Sequence, residues 1–504
     1  MRYLLDSLFL PFIFISPLFG APSLDRATTL FEKGIEQALD QWGIPGAAVA
    51  VVKDGKTLFI KGYGYRNVEK KELVTPSTLF QIGSISKSFT STLTALFVEE
   101  NKLDWKDPVR KYLPDFTLYD PWVSAEFSIE DLLTHRSGLP EKTGNMQALV
   151  GLTPNEIEYN LRFIKPTSSF RTKCSYQNIF YVTAGKVLEK ITNSSFADLL
   201  QNRLCTPLGM NQTMFSVQKY LKEKNRSSFY TYSEKGALYI PDKLPCLQAI
   251  EQFLPAGGIH SNVEDLVRWM NFQLRVDEEK ASSLLSAKQM AQLRRPQIFS
   301  KYIGKKPCYY GMGWAITQIA PRPFVWHGGE TFGARSILAF IPKERLGIVI
   351  LTNLRKTKAP EALVWDFFDA YYGKKDRNWT KVFFEEQKQE NQKYRPATLF
   401  TNAPLDKYVG NYQSEVFGKV KVLKKEQHLV LFMGPHEMPF FLHMQQQDRF
   451  SMHSPIVGTQ QNGVQFHRNK KGEIIGMSLA LFEEESFTSF SKLMENSSSL
   501  FGYL

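Results

Sequence analysis

The sequence has few cysteines and lacks several short motifs that identify common enzyme classes. No G-x-S-x-G or P-loop pattern occurs, which argues against an α/β-hydrolase and a P-loop nucleotide-binding protein. His436-Glu437 lacks the second histidine of an H-E-x-x-H zinc site, and the other histidines lack ligand spacing, so no metal and no cofactor are predicted. Four cysteines without C-x-x-C spacing are too few for a disulfide scaffold. We expect them to be buried thiols: Cys174, Cys205, Cys246 and Cys308.

No run of basic residues with interleaved aromatics stands out, which argues against a nucleic-acid partner. The formal net charge of +12 lies upstream of residue 403, because residues 403–504 contain ten Lys or Arg and ten Asp or Glu. A weakly basic surface suits an acidic environment such as a cell envelope. The length of 504 residues predicts two or more folding units, and 43% hydrophobic with 22% charged residues is an ordinary globular composition.

The first twenty residues resemble a secretion signal. Arg2 supplies a positive start, Leu8 to Phe19 is almost wholly apolar, and Gly20 and Ala21 offer a cleavage point. The apolar run is too short to span a bilayer as a helix. We therefore expect residues 1–20 to be a signal peptide and the protein to be secreted or periplasmic, with membrane contact only through an uncleaved signal, which is the alternative.

The patterns that follow predict an α+β domain over residues 21–372. Leu24 to Trp42 has the periodicity of an amphipathic helix, and the apolar runs around Asp54-Gly55 predict a hairpin. Helical patterns dominate from Ser84 to Asn271, and strand patterns return at "YGMGWAI", "RSILAFIP" and "LGIVILTNL". Strands at both ends of a helical middle predict one antiparallel sheet closed by its termini and flanked by helices.

The last part of the chain predicts a separate all-β domain. Residues 373–402 are polar and charged, which is typical of a helix plus a linker. Beyond them, short strand patterns with Gly or Asn turns occur in residues 403–504, a normal size for a domain. The strands are expected at "LDKYVGNYQ", "GKVKVLKK", "HLVLFM", "GVQFHRNKKGEIIGMSLALF" and "SFTSF".

A serine three residues before a lysine occurs at Ser84-Lys87, Ser216-Lys219 and Ser489-Lys492. Only Ser84 follows a glycine and opens a helical pattern, so that it shares a helix face with Lys87. The positive end of the helix dipole favours negative charge on its oxygen. Ser84 is therefore a candidate nucleophile with its own base, and a helix N-cap is the alternative.

Lys87 can act as a base near neutral pH only if its pKa falls from about 10.4 by roughly three units, or about 4 kcal/mol, through burial or a neighbouring cation. A second group that shares the proton would help. In "KCSYQN", Tyr176 and Asn178 are two residues apart and point the same way in an extended segment. A Y-x-N triplet alone carries little information.

The segment "VWHGGETFGARSILAFIP" predicts a strand edge that a substrate backbone can approach, because Gly328 and Gly329 precede Glu330. A free N–H there, together with that of Ser84, would make an oxyanion hole. His327 would be a donor or proton shuttle, and a surface hairpin with a structural histidine is the alternative. His135 is expected to order its loop rather than to catalyse.

Six segments, in this order, resemble those of the penicillin-recognising serine hydrolases, in the branch of class C β-lactamases, D-amino-acid peptidases and esterases. They are "FQIGSISKSFTSTL", "SIEDLLTHRSGLP", "SFRTKCSYQNIFYVTAGKVLEKI", "LPAGGIHSNVEDLVRWM", "YYGMGWAI" and "WHGGETFGARSILAFIPKERLGIVILTNL". The resemblance covers roughly residues 30–372 and implies a β-lactamase/transpeptidase-like fold. The tail resembles the lipocalin-like barrel of some peptidase members.

By this resemblance Ser84 is the acylated nucleophile, Lys87 its proton partner, Tyr176 a second acid/base and Asn178 a ligand of substrate and of Lys87. His327 stands where many relatives have lysine. With an ordinary pKa of about 6.5 it would bind a substrate carboxylate weakly at neutral pH and better in acid, which disfavours β-lactamase activity.

The expected function is therefore an exported hydrolase that forms an acyl-enzyme and acts on D-residue-containing peptides or esters. The alternatives are a weak β-lactamase or penicillin-binding D-Ala-D-Ala carboxypeptidase, and a catalytically idle peptidoglycan-binding or scaffold protein. The expected partner is a small-molecule or peptide substrate, with cell-wall origin and a homo-oligomer left open.

Overall fold

The computed structural model describes residues 22–493 apart from residues 234–235, 243–245, 276–283, 320–321, 375–377, 394–403, 455–457 and 481–486. The predicted signal peptide lies outside the described residues. Within them, no helix is long and apolar enough to cross a membrane. Cys174, Cys205 and Cys308 are free thiols, of which Cys174 is half-buried rather than buried.

A nine-stranded antiparallel sheet forms the centre of the first domain, in the strand order β3-β2-β1-β13-β12-β11-β10-β9-β8. Three short strands pair in a second sheet and two in a third. The strands are β1 (Gly46–Lys53), β2 (Lys56–Asn67), β3 (Glu72–Leu73), β4 (Phe80–Gln81), β5 (Phe229–Ser233), β6 (Gly236–Ile240), β7 (His260–Ser261), β8 (Ile298–Ile303), β9 (Lys306–Tyr310), β10 (Ala315–Ile319), β11 (Arg322–Glu330), β12 (Arg335–Ile341), β13 (Leu346–Thr352) and β14 (Leu354–Arg355).

Sixteen helices are described, most of them between β4 and β8. They are α1 (Leu24–Trp42), α2 (Ser86–Glu99), α3 (Pro121–Glu126), α4 (Ile129–Leu132), α5 (Asn145–Leu149), α6 (Pro154–Asn160), α7 (Ile179–Thr192), α8 (Phe196–Leu200), α9 (Thr206–Leu208), α10 (Val217–Lys222), α11 (Cys246–Gln252), α12 (Leu254–Gly257), α13 (Val263–Arg275), α14 (Ala287–Leu293), α15 (Ala359–Tyr371) and α16 (Trp379–Lys393). A 3₁₀ turn, Gly83–Ile85, leads directly into α2.

The sheet closes as the sequence predicts, because β1 pairs with β13 from the far end of the domain. The predicted hairpin joins β1 to β2 through Asp54 and Gly55, both in the left-handed region with φ of 52° and 79°. Every residue of β1 except Lys53 is buried. A strand with this apolar pattern must be covered on both faces of the sheet.

Alternate residues of β1 enter two separate cores. On one face, β1 packs with α1 and α15, where Phe31 and Phe367 meet edge to face with ring centroids 5.9 Å apart. On the other face it packs with α2 and α13, where Phe89 stacks on Trp269 at 3.8 Å. The helix α2 is therefore buried in the middle of the domain, and the 3₁₀ turn before it, with Ser84, lies at the end of β11.

The helix α16 occupies much of the segment expected to be a helix plus a linker. The Trp379 indole N–H donates to Asp369 at 2.7 Å, and the Lys358 backbone N–H donates to Gln387 at 2.9 Å. These contacts attach α16 to α15 and to the loop before it.

The C-terminal domain is a closed barrel of eight strands in sequential order, with β22 paired to β15. This agrees with the expected lipocalin-like all-β domain. Two strands that the sequence reading missed, β18 and β19, complete it. The barrel strands are β15 (Gly410–Ser414), β16 (Gly418–Lys425), β17 (His428–Met433), β18 (Met438–Gln446), β19 (Arg449–Ser454), β20 (Gly458–Arg468), β21 (Ile474–Ala480) and β22 (Phe487–Lys492).

Candidate active site

Ser84 lies in the 3₁₀ turn before α2 and is half-buried. Gly83 has φ of 53°, and a methyl group on it would lie 2.7 Å from the backbone nitrogen of Glu330. This position therefore requires glycine for both reasons. The cap position of α2 is Ile85, and no side chain caps the helix. The alternative that Ser84 is a helix N-cap is therefore wrong.

The other two S-x-x-K serines have ordinary structural roles. Ser216 caps α10 and accepts a hydrogen bond from the Lys219 backbone N–H at 3.4 Å. Ser489 lies in the barrel strand β22, opposite Ser478. Ser84, in contrast, has its hydroxyl 3.0 Å from the amine of the lysine in its own pattern, Lys87.

Lys87 is completely buried, and its Nζ contacts three oxygens. These are Ser84 Oγ at 3.0 Å, Asn178 Oδ1 at 2.6 Å and the carbonyl of Ala256 at 2.6 Å. Burial holds the pKa of Lys87 well below its ordinary value, because a charged amine loses its hydration there. No carboxylate from the described part of the chain is among its hydrogen-bond partners.

The three contacts fit a neutral amine. A neutral lysine has two N–H groups and one lone pair, whereas an ammonium has three N–H groups and none. Asn178 Oδ1 and the Ala256 carbonyl accept the two N–H groups. The lone pair is then left for the Ser84 hydroxyl proton, so Lys87 can take that proton during nucleophilic attack.

Tyr176 lies beside Lys87, with Nζ 4.7 Å from the centre of its ring. Burial raises the pKa of Tyr176, and the nearby Ser84 hydroxyl offsets part of the rise. The Tyr176 oxygen makes no well-aligned hydrogen bond within the described residues. The group is thus a protonated phenol close to Ser84.

Two residues fix the segment that carries Tyr176 and Asn178. His135 accepts the Gln177 N–H on its Nδ1 at 3.2 Å, and its carbonyl accepts the Ser175 N–H at 2.8 Å. This agrees with the expectation that His135 orders its loop. Asn178 in turn donates through Nδ2 to Asn145 Oδ1 at 3.1 Å, which orients its own oxygen towards Lys87.

His327 lies in β11 with both ring nitrogens engaged inside the protein. Its Nδ1 is 2.7 Å from the Gly328 carbonyl and its Nε2 is 2.9 Å from the Tyr310 hydroxyl. A carbonyl only accepts, so Nδ1 carries the proton and Nε2 accepts from Tyr310. Neither nitrogen is therefore presented to a substrate in this arrangement.

The expected ordinary pKa of His327 is wrong. Burial, and next the proximity of Lys87, lower the pKa of His327 to about 3. The ring is therefore neutral at both pH 7.5 and pH 5.5, and acid in this range would not restore a cationic contact to a substrate carboxylate. The lowered pKa of His327 could not be predicted from the sequence, because Tyr310 and the residues that bury the His327 ring come from other parts of the chain.

The end of β11 approaches the serine turn closely. A side chain at Gly329 would collide with the Ile82 carbonyl and the Ser336 hydroxyl, while one at Gly328 would point towards Glu361. Ser336 also donates to the Ile82 carbonyl at 2.8 Å and ties β12 to the same turn. The Glu330 backbone nitrogen thereby lies beside Gly83 and Ser84.

The exposed carboxylate of Glu330 pairs with Arg335 at 2.7 Å, and Arg335 also binds Glu361. Burial alone would lower the pKa of Arg335, but Glu361 and Glu330 outweigh it and raise the pKa. This half-buried cation joins the β11–β12 hairpin to α15. It holds the strand that faces the serine turn.

A cavity of about 300 Å³ opens over Ser84. Three predicted site residues, Ser84, Asn178 and Glu330, line it directly. Its walls are mainly apolar, and two cations, Lys142 and Arg355, are among the lining residues. The remaining lining residues are Asn145, Ala148, Leu149, Ala249, Ile250, Phe253, Ala256, Gly257, Thr331 and Phe332.

The model of the family described as Beta-lactamase matches residues 31–368. The chain belongs to the β-lactamase family. A second model, described as a domain of unknown function (DUF3471), matches residues 395–492, which include the barrel. The family membership makes this protein a β-lactamase-related serine hydrolase, in agreement with the resemblance found in its motifs.

Relatives of this β-lactamase family member occur in fungi and bacteria. It is 28% identical over 441 residues to unguisins hydrolase ungD′ of Aspergillus campestris, covering 80% of this chain and 79% of that one. It is 27% identical over 337 residues to protein flp of Staphylococcus aureus (strain N315), covering 66% and 64%. The solved octameric penicillin-binding protein homologue from Pyrococcus abyssi has the same fold, with 23% identity, a TM-score of 0.61 and coverage of 92% and 100%.

The sequence reading of this family member missed three groups that complete the site. Ala256 and Tyr310 lie in the segments "LPAGGIHSN" and "YYGMGWAI", whose spacing identifies the segments but gives no role to single residues. The carbonyl of Ala256 and the phenol of Tyr310 act through tertiary contacts. Asn145 lies in a short helix without any recognisable pattern.

Proposed function

We propose that this protein is an exported serine hydrolase that forms an acyl-enzyme at Ser84 and acts on D-residue-containing peptides or on esters. One observation carries the proposal. The buried Lys87 amine lies 3.0 Å from Ser84 Oγ, and its two other partners are acceptors. A serine hydroxyl needs such a base, since it is a weak nucleophile while protonated.

The opposite pKa shifts of two neighbours support their roles. Burial lowers the pKa of Lys87 and raises the pKa of Tyr176. When environments push the pKa values of two groups apart, the group that is readily deprotonated acts as the base and the other as the acid. We assign Lys87 as the base that activates Ser84 and Tyr176 as the acid that protonates the leaving group.

The reaction follows from these positions. Ser84 Oγ bonds to the substrate carbonyl carbon while its proton moves to Lys87 Nζ. The resulting oxyanion would accept the backbone N–H groups of Ser84 and Glu330. The bond to the leaving group then breaks as that group takes the Tyr176 proton, and the phenolate recovers a proton from Lys87. Water attacks the ester by the reverse transfers and releases the acid.

The arrangement of β11 on the strand side of the site is an argument for substrates without a carboxylate at this position. His327 has no nitrogen for a substrate carboxylate, because Gly328 and Tyr310 use both. Lysine in that place would be a permanent cation. The relative named as an unguisins hydrolase supports hydrolysis over a purely binding role. A second candidate, a weak β-lactamase or D-Ala-D-Ala carboxypeptidase, is favoured by two cations that line the cavity, Lys142 and Arg355, the second of which lies 3.9 Å from the Glu330 carboxylate.

The nucleophile is tested by labelling with a fluorescent fluorophosphonate, followed by peptide mass mapping. We expect the label on Ser84, and none on the Ser84→Ala variant. Ser216→Ala is the matched control, because it removes the serine of another S-x-x-K pattern and costs only a helix cap of about 1 kcal/mol. Labelling of correctly folded Ser84→Ala at the parental rate would refute the assignment.

Substrate class is tested with D- and L-aminoacyl p-nitroanilides, p-nitrophenyl esters and a chromogenic cephalosporin. We expect turnover of the esters or D-peptides to exceed that of the cephalosporin. An efficient cephalosporinase would establish the second candidate instead. Labelled Ser84 without turnover of any of these would favour the idle binding protein.

Export and assembly are further proposals. Export is supported by the apolar character of residues 1–20, and detection of the mature chain outside the cytoplasm would test it. A homo-oligomer is supported only by fold likeness to the octameric homologue from Pyrococcus abyssi. Light scattering of the purified protein would give the number of chains.

A further inference from the structure

The barrel touches the first domain immediately behind the wall of the cavity. The turn between β17 and β18 lies on Val150 and Gly151, the residues that follow α5. The His436 backbone N–H donates to the Val150 carbonyl at 3.3 Å. The His436 ring packs on the Cα of Gly151, and the backbone of Gly434 packs on Val150.

Two glycines make this contact possible. Gly151 and Gly434 have φ of 102° and 69°. A methyl group on Gly434 would overlap the Val150 carbonyl, and one on Gly151 would overlap the His436 ring. The missing side chain of Gly434 thus leaves space for the Val150 carbonyl, and that of Gly151 leaves space for the His436 ring.

The same segment forms one wall of the cavity. Ala148 and Leu149 line the cavity just before Val150, which is buried and faces the barrel turn. Asn145, at the start of α5, lines it too and binds Asn178, which binds Lys87. A continuous path of contacts therefore runs from the barrel turn through α5 to the base of the proposed nucleophile.

A second contact fixes the barrel on the next helix. Asn160, at the end of α6, donates through Nδ2 to the Val416 carbonyl at 2.9 Å. The barrel interior itself holds tilted and edge-packed aromatic rings, which include Tyr408, Tyr412, Phe450 and Phe466. The barrel interior is therefore filled by its own side chains and suits a structural role better than the binding of a ligand.

We propose that the β17–β18 turn supports the C-terminal end of α5 from behind and keeps it from moving away from the cavity. The turn thereby sets the size of the acyl group that the cavity accepts. Gly434 and His436 are positioning residues, since they act through Val150 and Gly151 and do not touch substrate. The inference rests on the proposed function, because it concerns the cavity over Ser84.

The test compares Gly434→Ala with Gly472→Ala. Gly472 has φ of 83° in the β20–β21 turn, and no atom lies within 4 Å of the position of an added methyl group. Both substitutions bear the same left-handed strain, but only the first meets the hydrolase domain. The readout is kcat/KM for p-nitrophenyl acetate and for the bulkier p-nitrophenyl 4-phenylbutanoate.

We expect Gly434→Ala to push Val150 towards the cavity and to lower the ratio for bulky over small ester by at least about threefold, because small misplacements near a reacting centre have large effects on rate. Gly472→Ala should leave the ratio within about twofold of the parent, as do most surface substitutions. His436→Ala removes the ring behind Gly151 and should move the ratio in the opposite direction, because the end of α5 can then retreat.

General damage to the barrel would not produce opposite shifts in this ratio. If Gly434→Ala fails to fold, His436→Ala decides. Parental ratios in both variants would overturn the inference, while the proposed function would stand. A parent protein that neither hydrolyses these esters nor labels at Ser84 would instead overturn the proposed function.

Discussion

Two elements flank the cavity over Ser84, α2 on what we call the helical wall and β11 on the strand wall, and each carries a buried nitrogen base behind the lining residues. Only the base on the helical wall has a lone pair directed at the serine. On the helical wall, Lys87 meets two acceptors and the Ser84 hydroxyl. On the strand wall, His327 has an acceptor on one nitrogen and a donor on the other. Burial lowers the pKa of both groups. A shifted pKa alone therefore does not single out a catalytic base, and the role proposed for Lys87 rests on the lone pair that it directs at Ser84.

The largest effect should come from removing the base on the helical wall. We expect Lys87→Ala to slow acylation by about 10²–10⁴-fold, the usual contribution of a positioned general base. The rate of fluorophosphonate labelling measures acylation directly, and circular dichroism checks the fold. On the strand wall, His327→Gln should cost much less. Equal losses in the two variants would break the distinction between the walls.

A smaller and more selective effect is expected for Tyr176→Phe. If the phenol protonates the leaving group, amides should lose on the order of 10²-fold and p-nitrophenyl esters much less, because p-nitrophenolate leaves without a proton. The measurement is kcat/KM for an anilide and an ester of the same acyl group.

Combining Tyr176→Phe with Lys87→Ala should cost less than the sum of the two single effects, because both groups serve one proton transfer. Full additivity in this double-mutant cycle would contradict a shared proton path.

Burial of His327 in the strand wall should be detected most clearly in the dependence of the free energy of unfolding on pH, to which the buried His260 also contributes. The pKa of both His327 and His260 is lowered to about 3, chiefly by burial, against about 6.5 in an unfolded chain. Between these values the unfolded state binds protons that the native state does not. The free energy of unfolding therefore decreases as the pH is lowered. From pH 7.5 to 5.5 the loss should be about 1.4 kcal/mol for each, or about 3 kcal/mol together.

Burial also lowers the pKa of His135 and of Lys87, so both groups add to this loss in the same direction. Urea unfolding at the two pH values tests the sum. His260→Gln should reduce the pH dependence. A protein equally stable at both pH values would refute neutral, buried histidines.

The smallest effect is expected for Tyr310→Phe, which leaves Nε2 of His327 without its donor. An unsatisfied buried acceptor costs about 1–3 kcal/mol, and the neighbouring Tyr309→Phe, at an exposed ring, should cost at most about 0.5 kcal/mol. Urea unfolding measures both. Ester turnover should change only slightly, since Tyr310 contacts His327 and not Ser84. Equal stability of the two variants would show that the Tyr310 hydrogen bond is not needed.

The difference between the walls also explains what could be predicted from the sequence. Ser84 and Lys87 lie one helical turn apart, so local spacing was enough to pair them. The partners of His327 and of Asn178 come from β9 and α5, and no local pattern connects them. In the barrel, β18 and β19 were missed because "MPFFLHMQQ" mixes polar, aromatic and proline residues, and because Asp448, rather than a glycine or asparagine, takes the left-handed position in the turn that joins the two strands. The closed sheet was predicted because the strands near the two ends of the domain sequence either alternate apolar and polar residues or are wholly apolar. Such patterns can be recognised without knowing which distant residues contact them.

The pairing of β1 with β13 has a consequence for the synthesis of the chain. Lys53 lies opposite Leu346, a separation of 293 residues (346 minus 53). At about 5–20 residues per second, a ribosome needs roughly 15–60 s to make the partner after β1 has emerged. During that time only β2 can protect one edge of β1, and the other edge is an open, apolar template for another nascent chain. We expect the yield of soluble protein to depend on translation speed and on chaperones that hold the β1–β2 hairpin until β13 arrives.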